Sequence, residues 1–196
     1  MHEKLTKAQQ DALRVQQAVC FAAHAHGIQL RKGSDTPYIL HPMEVCCILN
    51  AMGADTELMI AGLLHDTLED TGTTREEIRD AFGEGVLALV CAHTEDKSKS
   101  WRERKSRTID ELVGADVHLQ MLVLADKLAN LRSMVRDYNA LGEALWGRFK
   151  APKEQQAWYH RGVLHSLSPL WEVPQARWGM QEAQALAEEL FGPEGA

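Results

Sequence analysis

The densest set of chemistry-bearing side chains lies at residues 65–70, where the chain reads HDTLED. The run before it, MIAGLL, is apolar, so His65 and Asp66 stand at the end of a stretch expected to be buried. On a continuous helix, side chains four apart share a face, which puts His65 over Glu69 and Asp66 over Asp70. One helix edge then carries an imidazole and three carboxylates. That crowding is repulsive by itself. It becomes favourable when a cation takes part of the set as ligands and leaves the remainder as acid or base groups. The blander account is that Glu69 and Asp70, taken alone, form an ordinary exposed helix end.

Two further positions repeat the pattern. Asp126 interrupts the apolar run LQMLVLADKLANL, where an inward charge is costly unless it is paired or coordinated. Asn130 follows one turn later on the same face. His41 precedes Pro42 and adds a second imidazole from another helix boundary. Each has a structural alternative: Asp126 as half of a buried salt bridge with an Arg or Lys, and His41 as a simple boundary residue. Taken jointly, two imidazoles and two carboxylates suit Mn, Fe or Zn better than Ca or Mg, which prefer all-oxygen shells. Four protein ligands leave room for water and substrate only at five- or six-coordination, which points to Mn or Fe.

The elements that must position these residues read as successive helices. Capping boxes at Thr6/Gln9 and Thr74/Glu77 open helices that Gly27 and Gly83 can close. Between them, 27–40 is a loop, a helix runs from Pro42 to about Met52, and another covers about 55–70. Apolar helices follow at 85–95, 108–113 and 116–138, then at 152–169 and 175–191. In the last, Trp178, Ala185, Leu186 and Leu190 approximate one face, expected to pack on the bundle. No alternation bounded by hairpin turns marks a strand. The expectation is an all-α, single-domain bundle of about eight to ten helices over residues 1–196, with its core at about 15–165.

Bulk properties bound the function. A length of 196 residues with 45% hydrophobic and 25% charged content is ordinary for one globular domain. No signal region or membrane-spanning run is present, so a cytoplasmic protein is expected, with no membrane partner. Cys20, Cys46, Cys47 and Cys91 form no CxxC pair, which predicts buried free thiols in a reducing compartment. A net charge of −7 argues against general binding of nucleic-acid polymers, which relies on a basic surface. Against that balance, KSKSWRERKSR at 97–107 holds six Lys/Arg and one Glu. By charge alone it reads as a solvated connector, and in an acidic protein it also suggests a site for a small polyanion.

The order H…HD…D, with RKGSDTPYILHP at the first His, LLHDTLEDT at the second and LADKLANLR at the last Asp, resembles the HD superfamily. Within it, the similarity is to the hydrolase domain of RelA/SpoT-type enzymes and to stand-alone small alarmone hydrolases, over about residues 15–165. The resemblance implies a helical HD-domain bundle with His41, His65, Asp66 and Asp126 as ligands of one divalent metal, typically Mn²⁺. It implies Glu69 and Asp70 as the catalytic pair acting on the attacking water, and Asn130 beside metal and substrate phosphate. Arg31 and Lys32 match the basic pair near the nucleotide, with Arg31 suited to stacking on a purine. The implied reaction is removal of pyrophosphate from the 3′ position of (p)ppGpp, returning GDP or GTP.

A highly charged pyrophosphate needs a cationic rim. Lys97, Lys99, Arg102, Arg104 and Lys105 are its expected suppliers, with Lys153 and Arg161 adding charge and the Tyr159 hydroxyl reaching ribose or phosphate. Trp101 stands where relatives often carry a phosphate-binding Lys, and Ala129 where a bulkier residue is common, so an adenosine alarmone such as ppApp stays open as substrate. Bifunctional relatives continue into a synthetase domain; for this chain, hydrolysis without synthesis is expected. Two other readings compete: an HD nucleotidase releasing monophosphate, and a non-catalytic alarmone-binding regulator. Product analysis separates the first, and tight binding without turnover the second. An antitoxin role against a partner synthetase and the oligomeric state are not legible from the residues.

Overall fold

Side-chain caps from Thr6, Asp55, Thr74, Ser100 and Asp116 open five of the helices in the computed structural model, which describes residues 4–193; residues 1–3 and 194–196 of the expected domain lie outside the described residues. Contacts along the chain group into two compact units. The first comprises residues up to 31 and 35–94; the second comprises 32–34 and the chain from 95 onward. All regular structure among the described residues is helical, apart from an isolated bridge between Leu30 and Pro37 in the loop before His41. The all-α expectation holds.

The first unit contains α1 (Lys7–His26), α2 (Leu40–Ala51), α3 (Thr56–Leu64), α4 (Thr67–Asp70), α5 (Arg75–Phe82) and α6 (Glu84–His93). The capping boxes Thr6/Gln9 and Thr74/Glu77 form as expected. Helix α3 is the hub: it packs on α1, α2 and α6, and Leu58, Ile60, Ala61, Leu63 and Leu64 are fully enclosed. Each of these leucine and isoleucine side chains contributes about 1.5–3 kcal/mol by leaving water. Gly62 lets α2 approach α3, because a Cβ there would stand 2.5 Å from Leu49 Cδ1.

Sequence periodicity predicts one helix over 55–70, and the structure breaks it. Helix α3 ends at Leu64, and Asp66 adopts φ −98°, ψ −4° before α4 begins at Thr67. Side chains cause the break by taking over carbonyls of the α3 ladder. The His65 ring meets the Gly62 carbonyl at 2.7 Å, and Thr67 Oγ1 donates to the Leu64 carbonyl at 2.7 Å.

The second unit contains α7 (Trp101–Leu112), α8 (Val117–Leu141), α9 (Lys153–Ser166) and α10 (Arg177–Phe191), with 3-10 turns at Gly142–Arg148 and Ser168–Glu172. The basic segment is not a connector throughout. Helix α7 starts inside it, capped reciprocally by Ser100 and Glu103. Likewise, the helix expected over 152–169 gives way to a 3-10 turn after Ser166. Gly162 brings α9 onto α7, where a Cβ would meet Ile109 Cδ1 at 2.5 Å. Helix α10 packs on α8 and α9 as expected of the last helix. Its buried face is Gly179, Met180, Ala183, Ala187 and Leu190; of the four residues anticipated, only Leu190 is buried and Ala185 is exposed. Arg132 of α8 clamps Glu182 of α10 bidentately at 2.7 and 2.8 Å.

The four cysteines are free, but they are not buried: Cys20 and Cys47 are exposed and Cys46 and Cys91 half-buried. No helix among the described residues is long and apolar enough to cross a membrane.

Candidate metal centre

In the first unit, three of the expected ligands come together at the ends of short elements. His41 sits in the first turn of α2, and His65 and Asp66 occupy the break between α3 and α4. Both imidazoles are buried, at 5% and 1% exposure. Their rings lie edge to face, with centroids 5.1 Å apart. One oxygen of Asp66, Oδ2, is the meeting point: His65 Nε2 lies 2.9 Å from it and His41 Nε2 3.7 Å from it.

The tautomer of His65 follows from its other nitrogen. Nδ1 faces a carbonyl oxygen, which only accepts, so Nδ1 carries the hydrogen and donates to Gly62. A neutral His65 then presents the lone pair of Nε2 to a carboxylate oxygen at 2.9 Å. Two acceptors at that distance require a proton or a cation to bridge them. A backbone carbonyl that accepts from one ring nitrogen, so that the other presents its lone pair to a metal, is the usual arrangement behind a metal-ligating histidine. These residues fit a divalent metal.

Other rings and acids surround this cluster. Tyr38 donates its hydroxyl to Asp66 Oδ2. His93, at the end of α6, places its ring edge-on to His65 with centroids 5.0 Å apart. Glu69 is half-buried and Asp70 exposed on the short α4, whose backbone stays hydrogen-bonded through the Glu69 and Asp70 amides to the Asp66 carbonyl. That link keeps both acids one turn from the ligand pair despite the break. Arg31 is half-buried, with its guanidinium 5.8 Å from the Tyr38 ring centroid.

In the second unit, Asp126 is 4% exposed in the middle of α8. Asn130 Nδ2 donates to its Oδ1 at 2.6 Å, which realises the same-face relation read from the spacing. Lys127 Nζ donates to Oδ2 at 2.7 Å. Burial alone would push the Lys127 pKa down; the Asp126 carboxylate and the Tyr159 phenol outweigh it and hold the amine well above the usual lysine range. Asp126 is therefore half of a buried ion pair while also being a ligand-type side chain. The lysine responsible is its own neighbour in sequence.

The rim residues divide. Lys32, Lys97, Lys99 and Arg102 are exposed. Arg102 lies over the Trp158 ring, its Cζ 3.3 Å from the centroid. Lys105 and Arg104 both pair with Glu95 at 2.6 Å. Burial raises the Glu95 carboxyl, but Lys105, Lys127 and Arg104 outweigh that and hold it below the usual range. Tyr159 is buried at 4% exposure, with Lys105 Nζ 4.6 Å and Lys127 Nζ 5.2 Å from its ring centroid. Lys153 pairs with Glu143 at 3.1 Å, and Arg161 donates to the Phe191 and Gly192 carbonyls at the end of α10. Within this unit Lys105, Tyr159, Lys127 and Asp126 thus form one connected cluster, and Lys153 and Arg161 are committed elsewhere. Next to it, His160 is buried; burial and the charge of Lys127 push its pKa down to about 3, so it stays neutral.

Sequence reasoning missed Tyr38, Lys127, Glu95 and His93. Tyr38 and Lys127 were findable by position, three residues before His41 and one after Asp126. Glu95 and His93 carry no such signal.

Known proteins match along most of this framework. The HD domain family matches residues 18–151, which include all four ligand-type residues. The chain belongs to the HD domain family. Guanosine-3′,5′-bis(diphosphate) 3′-pyrophosphohydrolase MESH1 of Xenopus tropicalis is 43% identical over 129 residues, covering 64% of this chain and 72% of that protein. The like-named enzyme of Aquifex aeolicus is 39% identical over 137 residues, covering 68% of this chain. The chain spans only 20% of that much longer protein. Among solved structures, the one titled "A metazoan ortholog of SpoT hydrolyzes ppGpp and plays a role in starvation responses" aligns at a TM-score of 0.71 with 26% identity. It covers 98% of this chain and 99% of that one. A Listeria monocytogenes EGD-e crystal structure gives the same TM-score at 36% identity, covering 78% of this chain and 99% of that one.

Proposed function

We propose that this HD domain is a metal-dependent 3′-pyrophosphohydrolase of alarmone nucleotides, converting (p)ppGpp and water to GDP or GTP and pyrophosphate. The observation that carries the proposal is the convergence of His41, His65 and Tyr38 on one oxygen of Asp66, with Glu69 and Asp70 one turn on. It is supported by relatives at about 40% identity that bear that activity in their names. His41, His65 and Asp66 of the first unit and Asp126 of the second are the proposed ligands of a single ion, and the two units are proposed to work as one domain.

Two imidazoles and two carboxylates favour Mn²⁺ or Fe²⁺, and Mn²⁺ is proposed. Held by these residues, such an ion would supply a bound water of lowered pKa and charge to offset the phosphoryl oxygens. The chain's own groups do the rest. Glu69, half-buried beside Asp66, takes the proton of the attacking water, and Asp70 orients that water. Asn130 orients Asp126 through the bond already formed between them. Arg31 and Lys32 receive the purine and its phosphates. Of the basic rim, Lys97, Lys99 and Arg102 are proposed to meet the pyrophosphate directly. Lys105 and Tyr159 act from beneath, through the Lys127 cluster, and Lys153 is the outlying member. A cytoplasmic location is proposed to match this substrate.

A panel of ppGpp, pppGpp and ppApp, each incubated with Mn²⁺-loaded protein, tests the reading by product analysis. Pyrophosphate with GDP from ppGpp is expected. Orthophosphate as first product would make it an HD nucleotidase, and tight binding without turnover would make it a regulator.

A further inference from the structure

Five rings run in file through the first unit: His26, Tyr38, His41, His65 and His93, with successive centroids 4.7, 5.8, 5.1 and 5.0 Å apart. Tyr38 is the member that touches both halves of the proposed chemistry. Its hydroxyl donates to Asp66 Oδ2, the same oxygen that His65 Nε2 meets at 2.9 Å and His41 Nε2 at 3.7 Å. Its ring has the Arg31 guanidinium 5.8 Å from the centroid on the way to solvent. The short bridge of Leu30 with Pro37, and the bond from the Arg31 amide to the Thr36 carbonyl, fix the loop that carries both residues.

We infer that Tyr38 is a positioning residue with two separable parts: its hydroxyl sets the Asp66 carboxylate for the metal, and its ring seats Arg31 for the nucleotide. The inference rests on the metal-dependent reading of the site. The physical basis is the softness of a carboxylate torsion. The terminal rotation of an aspartate is broad and nearly two-fold, so packing alone holds Asp66 loosely. A phenol donating to Oδ2 occupies one lone-pair direction and leaves the other turned toward the two imidazoles. The ring contributes differently. A guanidinium over an aromatic face is held by the ring quadrupole in an orientation that leaves its own outer plane open for a base.

Two variants separate the parts. Tyr38→Phe keeps the ring and removes the hydroxyl; Tyr38→Leu removes both. Chelated protein titrated with Mn²⁺, with free ion counted by electron paramagnetic resonance, reads the first part. Loss of an outer partner of a metal ligand typically weakens affinity about 10–100-fold, and that drop is expected for both variants. At saturating Mn²⁺, KM for ppGpp should stay unchanged in Tyr38→Phe and rise in Tyr38→Leu, as it should in Arg31→Ala with Mn²⁺ affinity intact. Far-UV circular dichroism confirms the helices, and if Tyr38→Leu loses them, Tyr38→Met, which also lacks the ring, takes its place in the KM test, with an unchanged KM again overturning the second part. Unchanged Mn²⁺ affinity in Tyr38→Phe overturns the first part; an unchanged KM in Tyr38→Leu overturns the second. The metal titration needs no turnover, so an unsubstituted protein that binds Mn²⁺ yet leaves ppGpp intact would defeat the functional reading and still test the hydroxyl.

Discussion

Asp66 lies at a break between two short helices, with two imidazole nitrogens and a phenol turned toward one of its oxygens. Asp126 lies midway along a 25-residue helix, accepting from a lysine and an asparagine. The two carboxylates are proposed for the same ion, yet their surroundings differ in what they supply. Around Asp66 the groups at close range include lone-pair donors, and the juxtaposition of Nε2 and Oδ2 requires a bridging proton or cation. Around Asp126 a fixed ammonium already balances the charge, so this aspartate can stay ionised in a buried helix before any metal arrives. On the proposed reading the two have different tasks: Asp66 would define where the ion goes, and Asp126, paired with Lys127, would be held in place by its own helix.

Substitutions can break this contrast, beginning with the largest effect. Asp66→Ala removes the atom on which the first unit's cluster converges. Mn²⁺ binding and pyrophosphate release should both fall below detection, and retained activity would show that Asp66 does not define the ion's position. Glu69→Gln should separate chemistry from binding: kcat drops by about 10²–10⁴-fold, the usual share of a positioned general base, with Mn²⁺ affinity preserved. Equal losses in both would make Glu69 part of the ligand set. Lys127→Met probes the other aspartate. Breaking a buried pair by removing one partner costs about 3–5 kcal/mol, so metal-free protein should denature at markedly lower urea, and Mn²⁺ should recover part of the loss. A cost below about 1 kcal/mol would mean that Asp126 does not depend on its neighbour.

The same contrast explains what the sequence made legible. Asp126 and Asn130 are related by helix periodicity alone, and their 2.6 Å bond is where spacing put it. Of the two readings of Asp126, the buried ion-pair partner is the one seen, with Lys127 on Oδ2 and Asn130 on Oδ1; the ligand role is a proposal. Nothing in LLHDTLED signals a stop, with neither glycine nor proline there, so the sequence predicts one continuous helix along the His65–Asp70 edge. The break comes from His65 and Thr67 bonding back to carbonyls of Gly62 and Leu64, a competition that residue propensities do not display. In α7 the opposite occurred. Charge density suggested a solvated connector, while the S-x-x-E box at Ser100–Glu103 was present and outweighed it. The rim was least legible because a lysine's charge says nothing about which carboxylate it finds. Glu95 claims Lys105 and Arg104, and Glu143 claims Lys153.

The central claim is that one metal ion at these residues drives hydrolysis of an alarmone's 3′-pyrophosphate. Its most direct test is to strip the protein of metal, add Mn²⁺ stepwise in the presence of ppGpp, and follow pyrophosphate release. The account predicts no release without metal and activity that saturates at one ion per chain, with GDP as the other product. Full activity in excess chelator, or metal-loaded protein that leaves ppGpp, pppGpp and ppApp intact, would contradict it.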